Sequence, residues 1–392
     1  MQRKTVVLSK TAILFNMSFN EIPDDCLLAI FDYIVNLDDL INCFKVCVKW
    51  SNLIAERTKK VKYLIGKRDY SSDYVYYQGS RRIDSTYLGT LFTNLKIAEL
   101  SPKLDYKVED AIKFVRKQES LKGLINRFVV PIEKYCGKLE MLSVANINPK
   151  NLRNSSRIKQ LVIWSYSLAA LERDAHHLAN MERLKIQIHV PDTYYDGPVL
   201  EKLKILELSS LSFCDADFFH GFQLMDSCPN LQSAHISMNT NTWFFDETFK
   251  HEFLQDLVLQ FYGLDDENDN WNNLKRLFKK FPNLKHLALK GHCIITDEHI
   301  EQLVHILPNL VLLDVSECQG VTQRAADYVK DYCKRYGRSI KFYFNGNRDE
   351  IDSDLPQLST KHEAISRGFD FMKHCFRKIF FTLSHFLIPI DY

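Results

Sequence analysis

The sequence predicts a mixed α/β chain in which a small all-helical module precedes a stacked array of strand, turn and helix units, with a parallel sheet on the concave side and helices on the convex side. Three observations predict it. Residues 22–54 carry apolar side chains at helical spacing in three short runs. A Leu-x-x-Leu-x-Leu pattern returns again and again from residue 95 onward. Where its phase is sharpest, the returns lie about 25 residues apart, the length of one strand-plus-helix unit.

Ile22-Pro23-Asp24-Asp25 opens the first run, and its apolar positions Leu27, Ile30, Phe31 and Ile34 recur at steps of three and four. Pro23 suits a first helical turn, and two aspartates there suit the positive end of the helix dipole. Leu37-Asp38-Asp39-Leu40 restarts a helix whose apolar side continues through Phe44, Cys47 and Val48 before Trp50 and Leu53 begin a third. Three short helices bury little apolar area by themselves, so an apolar face left over on them calls for a partner.

These residues resemble the F-box family. Ile22-Pro23, Ile30-Phe31, Leu37-Asp38-Asp39-Leu40 and Val46-Cys47-Val48-Lys49-Trp50 stand in the family's order and spacing, with isoleucine for the usual leucine at 22. The resemblance implies a docking surface for the adaptor subunit of an SCF-type ubiquitin ligase and, through it, the cullin scaffold. Its carriers are Pro23, Leu27, Ile30, Phe31, Leu40, Val46, Cys47 and Trp50, several of which also serve as the module's own core.

The repeated pattern reads as Leu95-Ala98-Leu100, Leu139-Leu142-Val144, Ile158-Leu161-Ile163, Met181-Leu184-Ile186, Leu203-Leu206-Leu208, Leu231-Ala234-Ile236, Leu254-Leu257-Leu259, Leu284-Leu287-Leu289 and Leu310-Leu313-Val315. Leu121-Lys122-Gly123-Leu124 fits either a further repeat or a helical stretch from Val108. Pro-Asn-Leu leads into three of the strands, with Pro229, Pro282 and Pro308 spaced 53 and 26 residues apart. The late repeats, with Cys293 and Cys318 after their strands, resemble the cysteine-containing leucine-rich repeats found among F-box proteins, a resemblance that covers residues 20 to about 345. A leucine-rich-repeat solenoid is therefore expected, its leucines inward and the residues between them on the concave face. The candidate substrate-binding residues on that face are Gln160, Trp164, Arg183, Lys185, Glu207, His235, Asp256, His286, Lys290 and Tyr343, with Trp164 the favoured anchor.

The expected organisation is a disordered leader at 1–17, the F-box at 18–60, a connector at 61–90, repeats at 91–345, an acidic linker at 346–360 and an amphipathic helix at 361–392. The last rests on Ile365, Phe369, Met372, Phe376, Ile379, Leu383 and Phe386, which alternate in steps of four and three. Such a seam fits a cap over the open end of the array, and membrane-surface attachment is the rival.

No chemistry of the chain's own is legible. With 51 basic and 49 acidic residues the net charge is +2, which implies neither nucleic acid nor an anionic membrane as partner. The ten cysteines fall in no Cys-x-x-Cys or zinc spacing, so no cofactor or metal is expected, and a cytoplasmic or nuclear home fits. The acidic run Asp265-Asp266-Glu267-Asn268-Asp269-Asn270 lacks the glycine and final acid of a calcium loop. The functional expectation is a non-catalytic substrate-recognition subunit of an SCF-type E3 ligase, its substrate an unnamed protein. The alternative is a non-degradative binding scaffold, membrane-associated through its tail.

Overall fold

The computed structural model describes residues 22–392 apart from 69–70, 79–82, 84–85, 105–106, 153–154, 189–192, 211–217, 241, 263–270 and 292–294. The leader, the acidic run at 265–270 and Cys293 thus lie outside the described residues.

Three helices come first: α1 (Asp24–Asp32), α2 (Leu37–Phe44) and α3 (Val48–Thr58). Asn36 caps α2, its side chain accepting the backbone N–H groups of Asp38 at 2.9 Å and Asp39 at 3.3 Å. Thirteen parallel strands follow: β1 (Tyr63–Ile65), β2 (Tyr74–Tyr76), β3 (Ile97–Leu100), β4 (Gly123–Asn126), β5 (Met141–Val144), β6 (Gln160–Tyr166), β7 (Arg183–Ile188), β8 (Ile205–Ser210), β9 (Ser233–Met238), β10 (Asp256–Phe261), β11 (His286–Gly291), β12 (Leu312–Asp314) and β13 (Lys341–Tyr343). From β3 to β13 each strand lies beside its neighbour in sequence, and β1 then β2 complete the other edge. A sheet of this order is compatible with stacked repeats, each unit touching the one before and the one after.

The leucine pattern sets the register. Ala98, Leu124, Leu142, Leu161, Leu184, Leu206, Ala234, Leu257, Leu287 and Leu313 stand side by side from β3 to β12. All are buried in one core with the helices on that face, among them Trp271–Phe278 and Asp297–Ile306. The asparagines of the Pro-Asn-Leu turns stitch units together: Asn230, Asn283 and Asn309 each donate a side-chain N–H to a carbonyl of the preceding unit, those of Glu201, Glu252 and Pro282, at 2.8–2.9 Å. That satisfies acceptors at a chain reversal where no strand can.

Two expectations are corrected here and one open reading is settled. Residues 61–90 are more than a connector, since they supply β1 and β2. Leu121 to Leu124 leads into strand β4, which settles that ambiguity in favour of a further strand. Residues 361–392 form no amphipathic helix: they fold as β14 (Ile365–Arg367), a single π turn at Met372–Phe376, a 3₁₀ turn at Phe380–Thr382 and β15 (Phe386–Ile388), which pairs in parallel with β14. Nor does this segment cover only the open end. It runs back across the whole sheet on the face opposite the helices, so that the Tyr392 carbonyl accepts from Lys62 Nζ and Tyr63 Oη at 2.8 Å beside β1.

Candidate functional site

Two surfaces hold the residues the sequence singles out. On the N-terminal helices the eight motif residues divide into two sets. Leu27, Phe31 and Leu40 are buried, and Trp50, half-buried, meets the Phe31 ring edge-on at 5.1 Å, so these four build the module's core. Pro23 is exposed, Cys47 is half-buried, and Ile30 and Val46 are 46% and 58% exposed, joined by Val48 at 78%. Apolar side chains therefore stand in water on a module too small to need them as surface.

The second surface is the sheet face opposite the helices. The sequence leads one to expect the candidate residues open to a partner on this face, and the chain's own tail lies on most of them. Gln160 clasps Leu387, its Nε2 donating to the carbonyl at 2.5 Å and its Oε1 accepting the N–H at 3.0 Å. Arg183 donates to the carbonyls of Ser384 at 2.7 Å and His385 at 2.9 Å, and Lys185 to that of Leu383 at 2.9 Å. Lys290 reaches the Phe376 carbonyl at 2.7 Å, and His235 Nε2 that of Lys378 at 3.1 Å. Trp164, the favoured anchor, is half-buried, with the His385 ring edge-on at 5.8 Å and Lys185 Nζ 4.9 Å from its own ring. Glu207 is buried against Arg183 at 2.8 Å, and the Tyr343 hydroxyl donates to Asp354 Oδ2 at 2.8 Å. Asp256 and His286 pair with each other at 2.6 Å and, like Trp164 and Tyr343, make no hydrogen bond to the tail among the described residues.

Side chains that bind main-chain carbonyls need no particular sequence above them, which explains why their mixed chemistry gave no recognisable motif. The apolar partners of the tail carry the rest. Phe371, Phe376, Phe380, Leu383 and Leu387 pack with Ile205, Val258, Ala288 and Leu312, while Phe386 and Ile388 pack with Tyr63, Ile97, Ile125 and Met141. The seam offered to a membrane surface is thus largely occupied by the sheet. No helix among the described residues is long and apolar enough to cross a membrane, and no group of three or more His, Cys, Asp or Glu side chains among them could hold a metal ion.

Burial sets the electrostatics. It pulls the Lys185 ammonium down to about 7 and that of Lys290 to about 8. His235 falls to about 3, through burial and then the repulsion of Lys290, so its ring is neutral and its Nε2–H is the donor to Lys378. His385 is held well below its ordinary range by burial and nearby cations. Its Nε2 faces Arg127 Nη2 at 3.3 Å and must accept, which leaves Nδ1–H to donate to Ser143 Oγ at 2.8 Å.

A pH dependence follows. Lys185 titrates near 10.5 unfolded and near 7 folded, so between these values the unfolded chain holds the extra proton and stability rises with pH. The rise is at most about 1.4 kcal/mol per pH unit for this one group. Lys185→Met is expected to flatten the slope of Tm against pH between 7 and 9. Superimposable slopes would show that the buried amine keeps its proton throughout.

A scan against protein-family models finds no family that matches the chain, and a search of the curated proteins finds no match either.

Proposed function

We propose that the chain is the substrate-recognition subunit of an SCF-type E3 ubiquitin ligase, with α1 to α3 an F-box that binds the adaptor and the stacked strands a leucine-rich-repeat solenoid that presents a protein substrate. The observation that carries the reading is the division of the motif: half of it forms a core, while Pro23, Ile30 and Val46 remain exposed together with Val48. An apolar surface on so small a module is best accounted for by a permanent partner. In this reading the chain performs no catalysis itself, and ubiquitin transfer to the bound substrate follows from proximity.

The test uses the exposed positions, because substituting Trp50 or Phe31 would also damage the core. Ile30→Asp with Val46→Asp is expected to abolish co-purification of the adaptor and leave the melting temperature unchanged, since one interface anchor is commonly worth about 2 kcal/mol or more. A folded double variant that still captures the adaptor in full would remove the F-box reading. The second reading, a scaffold that uses the adaptor without degrading anything, is separated by whether a bound partner is ubiquitinated in a manner that depends on Ile30 and Val46.

A further inference from the structure

The tail closes most of the sheet face and leaves a cleft beside it. The cleft, about 600 Å³, runs beneath tail residues 369–371 and 387–392 along the starts of β5 to β10. Its floor takes one residue from each strand in register: Met141, Gln160, Arg183, Ile205, Ser233 and Asp256. Six strands at about 4.8 Å spacing make it roughly 24 Å long, which is about seven residues of extended chain. Phe369, 55% exposed, stands at the mouth, and Phe371 lies inside against Ile205.

The charges of the lining are unevenly matched. Lys159 faces Glu140 at 4.0 Å, Lys204 faces Glu182 at 3.4 Å, and Arg183 is taken by Glu207. Two carboxylates remain. Asp256 accepts the Ser233 hydroxyl at 2.7 Å and meets His286, and the exposed carboxylate of Asp370 accepts the backbone N–H of Lys373 at 3.1 Å. Among the described residues no lysine or arginine lies within ion-pair reach of either.

We propose that this cleft, built jointly by sheet and tail, is where the receptor reads its substrate, seating an extended protein segment with one large apolar side chain between Phe369, Phe371 and Ile205 and a lysine or arginine against Asp256 and Asp370. The proposal rests on the receptor reading above and names the class of segment that reading requires. It also reassigns the tail, from a cover over the binding surface to one wall of it.

Selection of phage-displayed random twelve-residue peptides on the full chain, without adaptor, tests it. The enriched peptides are expected to carry Phe, Trp, Leu or Met with Lys or Arg within three positions. A synthetic peptide of the winning sequence should bind at least tenfold more weakly to Phe369→Ala and to Asp370→Asn, and more weakly in high salt. Both positions are exposed, so unchanged melting and unchanged adaptor capture certify the variants. Failure to enrich any peptide, enrichment of acidic peptides, or winners indifferent to both substitutions would overturn the proposal. Loss of adaptor binding alone, with peptide binding intact, would instead remove the ligase reading and leave the cleft as a peptide site.

Discussion

Deletion of residues 357–392 is expected to yield a protein that aggregates on purification and has no sharp melting transition near that of the full chain. The segment buries Phe371, Phe376, Phe380, Leu383, Phe386, Leu387 and Ile388 against the sheet. Burying a side chain of this size contributes roughly 1.5–3 kcal/mol, before the cost of ordering the segment that carries it. Its removal also uncovers Tyr63, Ile97, Ile125, Met141, Ile205, Val258 and Leu312 along one continuous face, an apolar patch of the kind soluble monomers avoid. Helices α1 to α3 contribute nothing to these two tail clusters, so if they bind the adaptor as proposed above, the fraction that stays soluble should still capture it. Size-exclusion chromatography with a thermal melt reads the outcome, and a monomeric, thermally unchanged truncation would refute the structural role given to the tail.

Arg183→Ala is expected to cost about 3–5 kcal/mol, the usual penalty for stripping one partner from a buried ion pair. The two side chains are 3% and 0% exposed, and Arg183 Nη2 donates to both Glu207 carboxylate oxygens, at 2.9 and 2.8 Å. Without the guanidinium, Glu207 keeps the Cys375 thiol at 3.5 Å and the neighbouring Lys185 amine, and the carbonyls of Ser384 and His385 lose a donor each. The double variant Arg183→Met, Glu207→Leu should recover most of the loss, because replacing a buried pair by apolar groups of similar volume is often close to neutral. Denaturant titration of Arg183→Met, of Glu207→Leu and of the double variant gives the coupling directly. A double variant as unstable as Arg183→Ala would mean that the stabilising contacts are those to the tail carbonyls and not the ion pair.

Much of the sheet was legible because the leucine pattern is a statement about one face only. Leu142, Leu161 and Leu184 alternate with residues of any chemistry, and that alternation is what a strand with two different neighbours requires. Strands β1 and β2 escaped notice because Tyr63-Leu64-Ile65 and Tyr74-Val75-Tyr76 are short and largely buried on both faces, so no alternation marks them. The tail misled for a different reason. Its apolar residues at steps of three and four match a helix seam, yet the carbonyls of Phe376, Lys378, Leu383, Ser384 and His385 accept hydrogen bonds from Lys290, His235, Lys185 and Arg183. A continuous helix would spend those acceptors on its own backbone, and Gly368, at φ 113°, lets the chain turn away just before the π turn. The decisive partners are more than 80 residues distant in sequence, where periodicity within a window cannot see them. At the candidate sites the same limit applied: the positions on the sheet face were readable, and their occupant was not.

The bond from Lys62 to Tyr392 joins residues 330 apart, across a sheet whose own strands pair with near neighbours in sequence. On a ribosome adding about 5–20 residues per second, the amine waits roughly 15 to 65 s for its acceptor. Through that interval the strands can stack one upon the next, but their far side stays wet and sticky until residues 361–392 emerge. Residues 361–392 are therefore made long after β1, which they seal, and a nascent chain arrested short of them displays to the cell a surface the folded protein never shows.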